Sequence, residues 1–132
     1  MRWMLDTDIC IYIMKRHPPG VQARLRRVAI GEVGLSAIVL AELRFGIRKS
    51  QRREENAAAL ADFLAYCPVL DWPQAASDNY TEIRHELETQ GTPIGSNDLL
   101  IAAHALHLNC TLVTNNVREF QRVRGLSIES WV

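Results

Sequence analysis

The 132 residues are 48% hydrophobic and 23% charged, enough for one domain with a real core and too few for two ordinary ones. Fifteen basic and fifteen acidic residues cancel to a net charge of zero, which excludes a uniformly basic surface. No apolar run approaches the roughly 18 residues that cross a bilayer, and Asp6 comes too early for a secretory leader, so a cytoplasmic protein is expected.

Taken in order, Trp3-Met4-Leu5 is short and apolar and ends on Asp6-Thr7-Asp8, which reads as a buried strand of a parallel sheet. Thr7 or Asp8 then N-caps a helix to about Lys15, stopped by Pro18-Pro19-Gly20. Val33 to Ser36 reads as a second strand. Ser36 caps a helix from Ala37 to about Lys49, with Leu40, Leu43 and Ile47 at the spacing that helices bury. Residues 54–66 are strongly helix-forming, with acids in the first turn where the helix dipole favours them. Val69 to Trp72 reads as a strand. A long helix follows Pro73 and runs to about Gln90, where Gly91 stops it. Gly95-Ser96-Asn97-Asp98 opens an apolar helix through about Leu108, Thr111 to Thr114 forms a buried strand, residues 115–124 a short polar helix or turn, and Ser127-Ile128 an edge strand.

Strands alternating with helices imply an α/β sandwich on a mostly parallel sheet, as a single domain over residues 1–132. Ligands of such sheets gather beyond the carboxyl ends of the strands. Asp6 and Asn115-Asn116 fall there, and Glu42 and Asp98 lie on helices that border the same crevice. The three cysteines, Cys10, Cys67 and Cys110, match no metal or redox spacing and sit among apolar neighbours as small core residues.

The charge balance is uneven along the chain. Residues 15–53 hold ten Lys or Arg against Glu32 and Glu42, a net of +8; residues 54–119 hold ten acids against Arg84 and Arg118, a net of −8. A local basic face for a polyanion therefore remains open. Arg44, Arg48 and Arg52 recur every four residues, which puts them on one helical face near Glu42, and they are candidate phosphate contacts.

Asp6 follows an apolar strand, Glu42 sits in an otherwise apolar helical stretch, and Asp98 opens the most apolar helix of the chain. Ionised carboxylates avoid such places unless paired or metal-bound. Three of them in one cleft repel each other, and a divalent cation removes that repulsion. Mg²⁺ takes oxygen ligands and polarises phosphoryl groups. Asp8 reads as a cap or an outer group. Thr7 and Thr114 follow strand ends and are placed to hydrogen-bond the ligand carboxylates. His104 and His107 lie three apart, but no further ligand stands at zinc spacing.

Asp6-Thr7-Asp8 before Tyr12, the segment Ala41-Glu42-Leu43-Arg44-Phe45-Gly46, the run from Ile94 through Asp98 to Ala103, and Val113-Thr114-Asn115-Asn116-Val117-Arg118-Glu119-Phe120 together resemble the PIN-domain ribonuclease toxins of VapC type. The resemblance covers nearly the whole chain. It implies a three-layer α/β/α sandwich, a homodimer, and a toxin that cuts RNA with Mg²⁺ or Mn²⁺. It also implies a VapB-type antitoxin that covers the acidic site, and, for the subgroup it most resembles, initiator tRNA cut in the anticodon region. Carried over residue by residue, the metal ligands and catalytic residues are Asp6, Glu42 and Asp98. Two departures stand out. Asp8 occupies a position where many members have Asn, and the fourth acid of many members falls here at either Asn116 or Glu119, so a second metal stays open. Two rival readings remain. One is a binding module that has lost its chemistry. The other is a haloacid-dehalogenase-type phosphatase, whose nucleophile motif resembles strand-Asp6-x-Asp8, although Cys10 stands where Thr or Val is usual and no matching Lys motif follows.

Overall fold

The structure, a computed structural model, describes residues 1–132. Five short strands, β1 (Trp3–Leu5), β2 (Val33–Ser36), β3 (Val69–Leu70), β4 (Thr111–Val113) and β5 (Ile128–Glu129), form one sheet in the order β3-β2-β1-β4-β5. Every pairing is parallel, so the expected mostly parallel sheet is entirely so. All three residues of β1 are buried, as the unbroken apolar run foretold for a central strand.

Each parallel step needs a crossover, and the helices supply them. Helices α1 (Thr7–Lys15) and α2 (Pro19–Arg26) join β1 to β2, and α3 (Ala37–Lys49) and α4 (Arg53–Leu64) join β2 to β3. The chain then returns through α5 (Ala76–Thr89) and α6 (Ser96–Leu108) to β4, on the other side of β1; α7 (Val117–Phe120) leads to β5. Right-handed crossovers running in opposite directions put α1–α4 on one face and α5–α6 on the other. The packing agrees: α1 touches α2, α3 and α4, while α5 lies along α6. The result is the three-layer sandwich, and strand order reverses at β1, where such sheets open a crevice.

The core is continuous through the sheet. Met4, Leu5, Leu35 and Leu112 meet Ile9 and Ile13 of α1, Val39 of α3 and Ile101 of α6, all essentially inaccessible to solvent. On α3, Val39 and Leu43 are buried, while Leu40 and Ile47 are only half-buried against the same core. Ala102, Ala103 and Ala105 let α6 approach closely. The three cysteines are free and buried.

Three local expectations are corrected. Neither Thr7 nor Asp8 caps α1; Asp6 does, because its extended backbone lets its carboxylate accept the Thr7 N–H. The Pro-Pro-Gly run does more than end a helix. Left-handed Arg16 closes α1, and Pro19 then starts α2, which the sequence reading left out; proline suits a first helical position because that N–H needs no partner. Finally, β3 ends at Leu70 rather than Trp72, whose indole N–H instead donates to the Leu100 carbonyl at 2.8 Å.

Candidate active site

The crevice at the end of β1 is built from four stretches of chain. Asp6 is fixed first. Its N–H donates to the Val113 carbonyl of β4 at 2.9 Å. One carboxylate oxygen accepts the Thr7 N–H and the other the Thr114 hydroxyl, both at 2.8 Å. Only 6% of the residue is exposed.

Glu42 comes from the middle of α3, and its two oxygens are held from different sides. The Thr7 hydroxyl donates to Oε1 at 2.5 Å and the Asn97 amide to Oε2 at 3.3 Å. Asn97 precedes Asp98 in the first turn of α6, so a hydrogen bond from that turn steers Glu42 toward Asp98. Glu119, from α7, reaches the same place. It accepts the Gly95 N–H at 3.0 Å and the Asn116 side-chain amide at 2.6 Å, and its charge bears on Asp98. Asn116 also donates its backbone N–H to the Thr114 hydroxyl, at 2.9 Å. Of the two candidates after Thr114, then, Glu119 brings a carboxylate to the cluster and Asn116 holds it there. Their spacing of three residues across one short turn was the available signal.

Asp8 stands slightly apart. It accepts the Ile9 N–H at 2.7 Å and the Asn115 N–H at 3.0 Å, pinning the loop after β4 to the first turn of α1. Burial pushes its carboxyl up.

The electrostatics follow from what the cluster lacks. The molecule has three ion pairs, Arg24–Glu129, Arg52–Glu55 and Arg84–Glu88, and none of them involves Asp6, Asp8, Glu42, Asp98 or Glu119. Burial, followed by the charge of Asp8, pushes Asp6 up to about 6, against the lowering effect of Thr114 and Thr7. Burial and then the charges of Asp6, Glu119 and Glu42 push Asp98 up to about 7. Glu119 goes the other way, because the Asn116 amide stabilises its anion.

Carboxylates crowded without a counter-ion have the chemistry of a site for a hard cation. No three of these side chains stand close enough together to cage an ion by themselves. Mg²⁺ keeps several waters and takes one or two carboxylates plus substrate oxygens, so water and substrate would have to complete its shell. The all-oxygen donor set fits Mg²⁺ or Mn²⁺ and not zinc, which prefers nitrogen and sulfur. His104 is fully buried and hydrogen-bonded to the Ser36 hydroxyl at 2.9 Å, serving the core.

The basic residues are placed differently from the expectation of one arginine face. Helix α3 ends at Lys49, and Arg52 lies beyond it as the residue before α4. At about 100° per residue, Arg44 falls roughly 200° around α3 from Glu42. Arg44 and Arg48 are exposed and in no ion pair, and Arg52, also exposed, faces Glu55 at 3.9 Å.

The PIN domain model matches residues 3–126. The chain belongs to the PIN-domain family, in its VapC branch. It is 44% identical over 132 residues to Ribonuclease VapC2 of Rickettsia felis, covering 99% of this chain and 98% of that protein. It is 42% identical over 131 residues to the tRNA(fMet)-specific endonuclease VapC of Shigella flexneri, with 99% and 98% covered. Among solved structures, VapBC2 from Rickettsia felis bound to a DNA fragment from their promoter aligns with a TM-score of 0.94, 43% identity and all of both chains covered. The phosphatase reading of Asp6-x-Asp8 is thereby set aside: this VapC-family fold gives the same strand-end aspartate a different setting.

Proposed function

We propose that this chain is the toxin of a type II toxin–antitoxin pair, a cytoplasmic Mg²⁺- or Mn²⁺-dependent endoribonuclease. Its single domain spans residues 1–132. Asp6, Glu42 and Asp98 hold the ion and are the catalytic residues, and Glu119 completes the acidic set. The observation that carries the reading is the convergence of these carboxylates, from four separate stretches of chain, at the strand-order reversal with none of them in an ion pair. The substrate is RNA, and the name of the Shigella flexneri relative supports initiator tRNA. The partner is a VapB-type antitoxin, as the solved VapBC complex of the Rickettsia felis relative supports. The working form is a homodimer.

When bound, the divalent ion stabilises charge on the phosphoryl oxygens and acidifies the attacking water. The chain's own residues set the stage for this. Thr7 and Thr114 hold Asp6 so that its remaining lone pairs face the crevice, and Thr7 and Asn97 prevent Glu42 from swinging into solvent. Asp98, in the first turn of α6, brings the third carboxylate to the ion. Cleavage is expected from the purified chain with Mg²⁺ or Mn²⁺ on total cellular RNA, read by mapping new 5′ ends. Asp98→Asn is expected to cut nothing while keeping the wild-type circular dichroism spectrum. Full cleavage by that variant refutes the assignment.

A further inference from the structure

We propose that Phe45 and Lys49 form a platform that stacks an unpaired RNA base beside the cutting site, an inference that rests on the nuclease reading above. An exposed phenylalanine alone would mean little, since scattered apolar side chains are common on protein surfaces. Here the position decides. Phe45 is 62% exposed, while the other two phenylalanines, Phe63 and Phe120, are 2% and 0% exposed. Glu42, Phe45 and Lys49 stand at i, i+3 and i+7 of α3, so they share one face of the helix. Phe45 lies about 5 Å and Lys49 about 10 Å along the axis from Glu42.

The local chemistry suits a nucleotide. The Lys49 ammonium sits 4.7 Å over the Phe45 ring, a cation–π contact that fixes the ring and occupies one of its faces. The ring's high exposure leaves the other face to solvent. Gly46, one turn from Glu42, has nothing within 4 Å of where a Cβ would stand. On the far side of Glu42 from Phe45 it borders a half-apolar cleft of about 290 Å³, lined by Glu42, Gly46, Ser50 and Lys15 among others but not by Phe45 or Lys49. Neither Lys49 nor Arg48 is in an ion pair. Going around α3, the exposed arc reads Arg44, Arg48, Ala41, Phe45, Lys49 and then reaches half-buried Glu42, with one aromatic ring set among cations. A protein partner seated here would have to desolvate those cations. RNA brings phosphates to them and a base to the ring. Unpaired bases stacked on aromatic side chains are the usual means of reading single-stranded RNA.

The test uses the full chain with Mg²⁺ and two substrates, an unpaired oligoribonucleotide and the same sequence locked in a duplex. Phe45→Ala is expected to raise KM on the unpaired RNA by roughly tenfold, within the range typical of one stacked base, and to leave kcat nearly unchanged. Phe45→Trp should restore KM, and Phe45→Leu should not. Lys49→Ala should flatten the salt dependence of binding by about one phosphate contact. Added RNA should quench Phe45→Trp fluorescence beyond the background of Trp3, Trp72 and Trp131. A wild-type KM in Phe45→Ala, equal rescue by Leu and Trp, or loss of dimer with unchanged RNA kinetics each overturns the platform. If the wild type cuts no RNA, the nuclease reading falls; quenching of Phe45→Trp by RNA then upholds the platform as a binding site, and its absence overturns it.

Discussion

One carboxylate and a cluster of others sit at the same end of the sheet and lead opposite lives. Glu129 lies level with Val113 and Leu5 in the strand register, two strands from the residue that precedes Asp6. It accepts from Arg24 at 2.7 Å and from the Trp131 indole at 3.1 Å. The Arg24 guanidinium also packs 5.5 Å from the Trp3 ring and 5.6 Å from the Trp131 ring. Charge, hydrogen bonds and aromatic faces are all satisfied, and the clamp ties the C-terminal segment to α2. Around Asp6 the hydrogen bonds are equally well made, yet no cation answers the charge. A carboxylate with its counter-ion contributes to the fold. Carboxylates gathered without one are held for something that arrives, and they lower the stability of the chain until it does.

Asp6→Asn breaks the comparison most sharply. The amide oxygen can accept the Thr7 N–H, and the amide NH₂ can donate to the Thr114 hydroxyl, so both supports of Asp6 survive the change. The variant is expected to lose RNA cleavage by well over the ~10–100-fold that loss of a ligand's supporting partner costs. In metal-free buffer it should unfold at higher denaturant concentration than wild type near neutral pH, because it buries no unpaired charge. Chemical denaturation with and without EDTA reads the stability, and an RNA cleavage assay reads the activity. Lower metal-free stability would mean that the charge of Asp6 is already compensated.

The same argument sets a pH dependence. The folded chain holds the Asp6 proton up to about 6, while the unfolded chain releases it near 3.8. Between those values the native state binds more protons, so metal-free stability falls as pH rises and levels off above about 6. For Asp6 this amounts to ~3 kcal/mol at most. Asp98, pushed up to about 7, extends the decline toward neutrality. Urea melts from pH 4 to 8 should show the slope in EDTA, a shallower one in Asp6→Asn, and relief on adding Mg²⁺. Stability that rises with pH across this window would remove the buried-charge account.

Much of this was legible in the chain. The apolar runs before Asp6 and Asn115 gave the central strands, and the alternation with helices gave the layers, because a strand buried on both faces has no polar residue to interrupt it. The acids stood out for the same reason, as charges placed where the surroundings are apolar. Less legible was whatever depends on a side chain's reach. Asn97 donating to Glu42 bridges 55 positions, and no local pattern announces it. The exchange of roles between Asn116 and Glu119 depends on how the turn before α7 folds. The arginine spacing misled because periodicity assumes that the helix continues, and α3 stops at Lys49. Pro18-Pro19 announces the end of α1 but not the start of α2, because proline is as compatible with a helix's first turn as with its termination.

The smallest expected effect tests the satisfied half of the comparison. Arg24→Ala leaves Glu129 with the Trp131 indole N–H and partial exposure, so no buried charge is stranded. The ion pair is about one-third exposed on each side, which limits its worth to ~0–1 kcal/mol. The two ring contacts add ~0.5–1 kcal/mol each. A loss of roughly 1–3 kcal/mol is expected, lowering Tm by several degrees in a thermal melt. Arg24→Lys should recover only part of it, since an ammonium cannot present a flat face to both rings. Cleavage of RNA at 25 °C should stay at the wild-type rate in both variants. Asp6→Asn and Arg24→Ala thus move stability in opposite directions, and only the first touches activity. An Arg24→Ala chain that stays folded but cuts poorly would show that the clamp reaches the acidic crevice through β4, and that the two carboxylate groups are not independent.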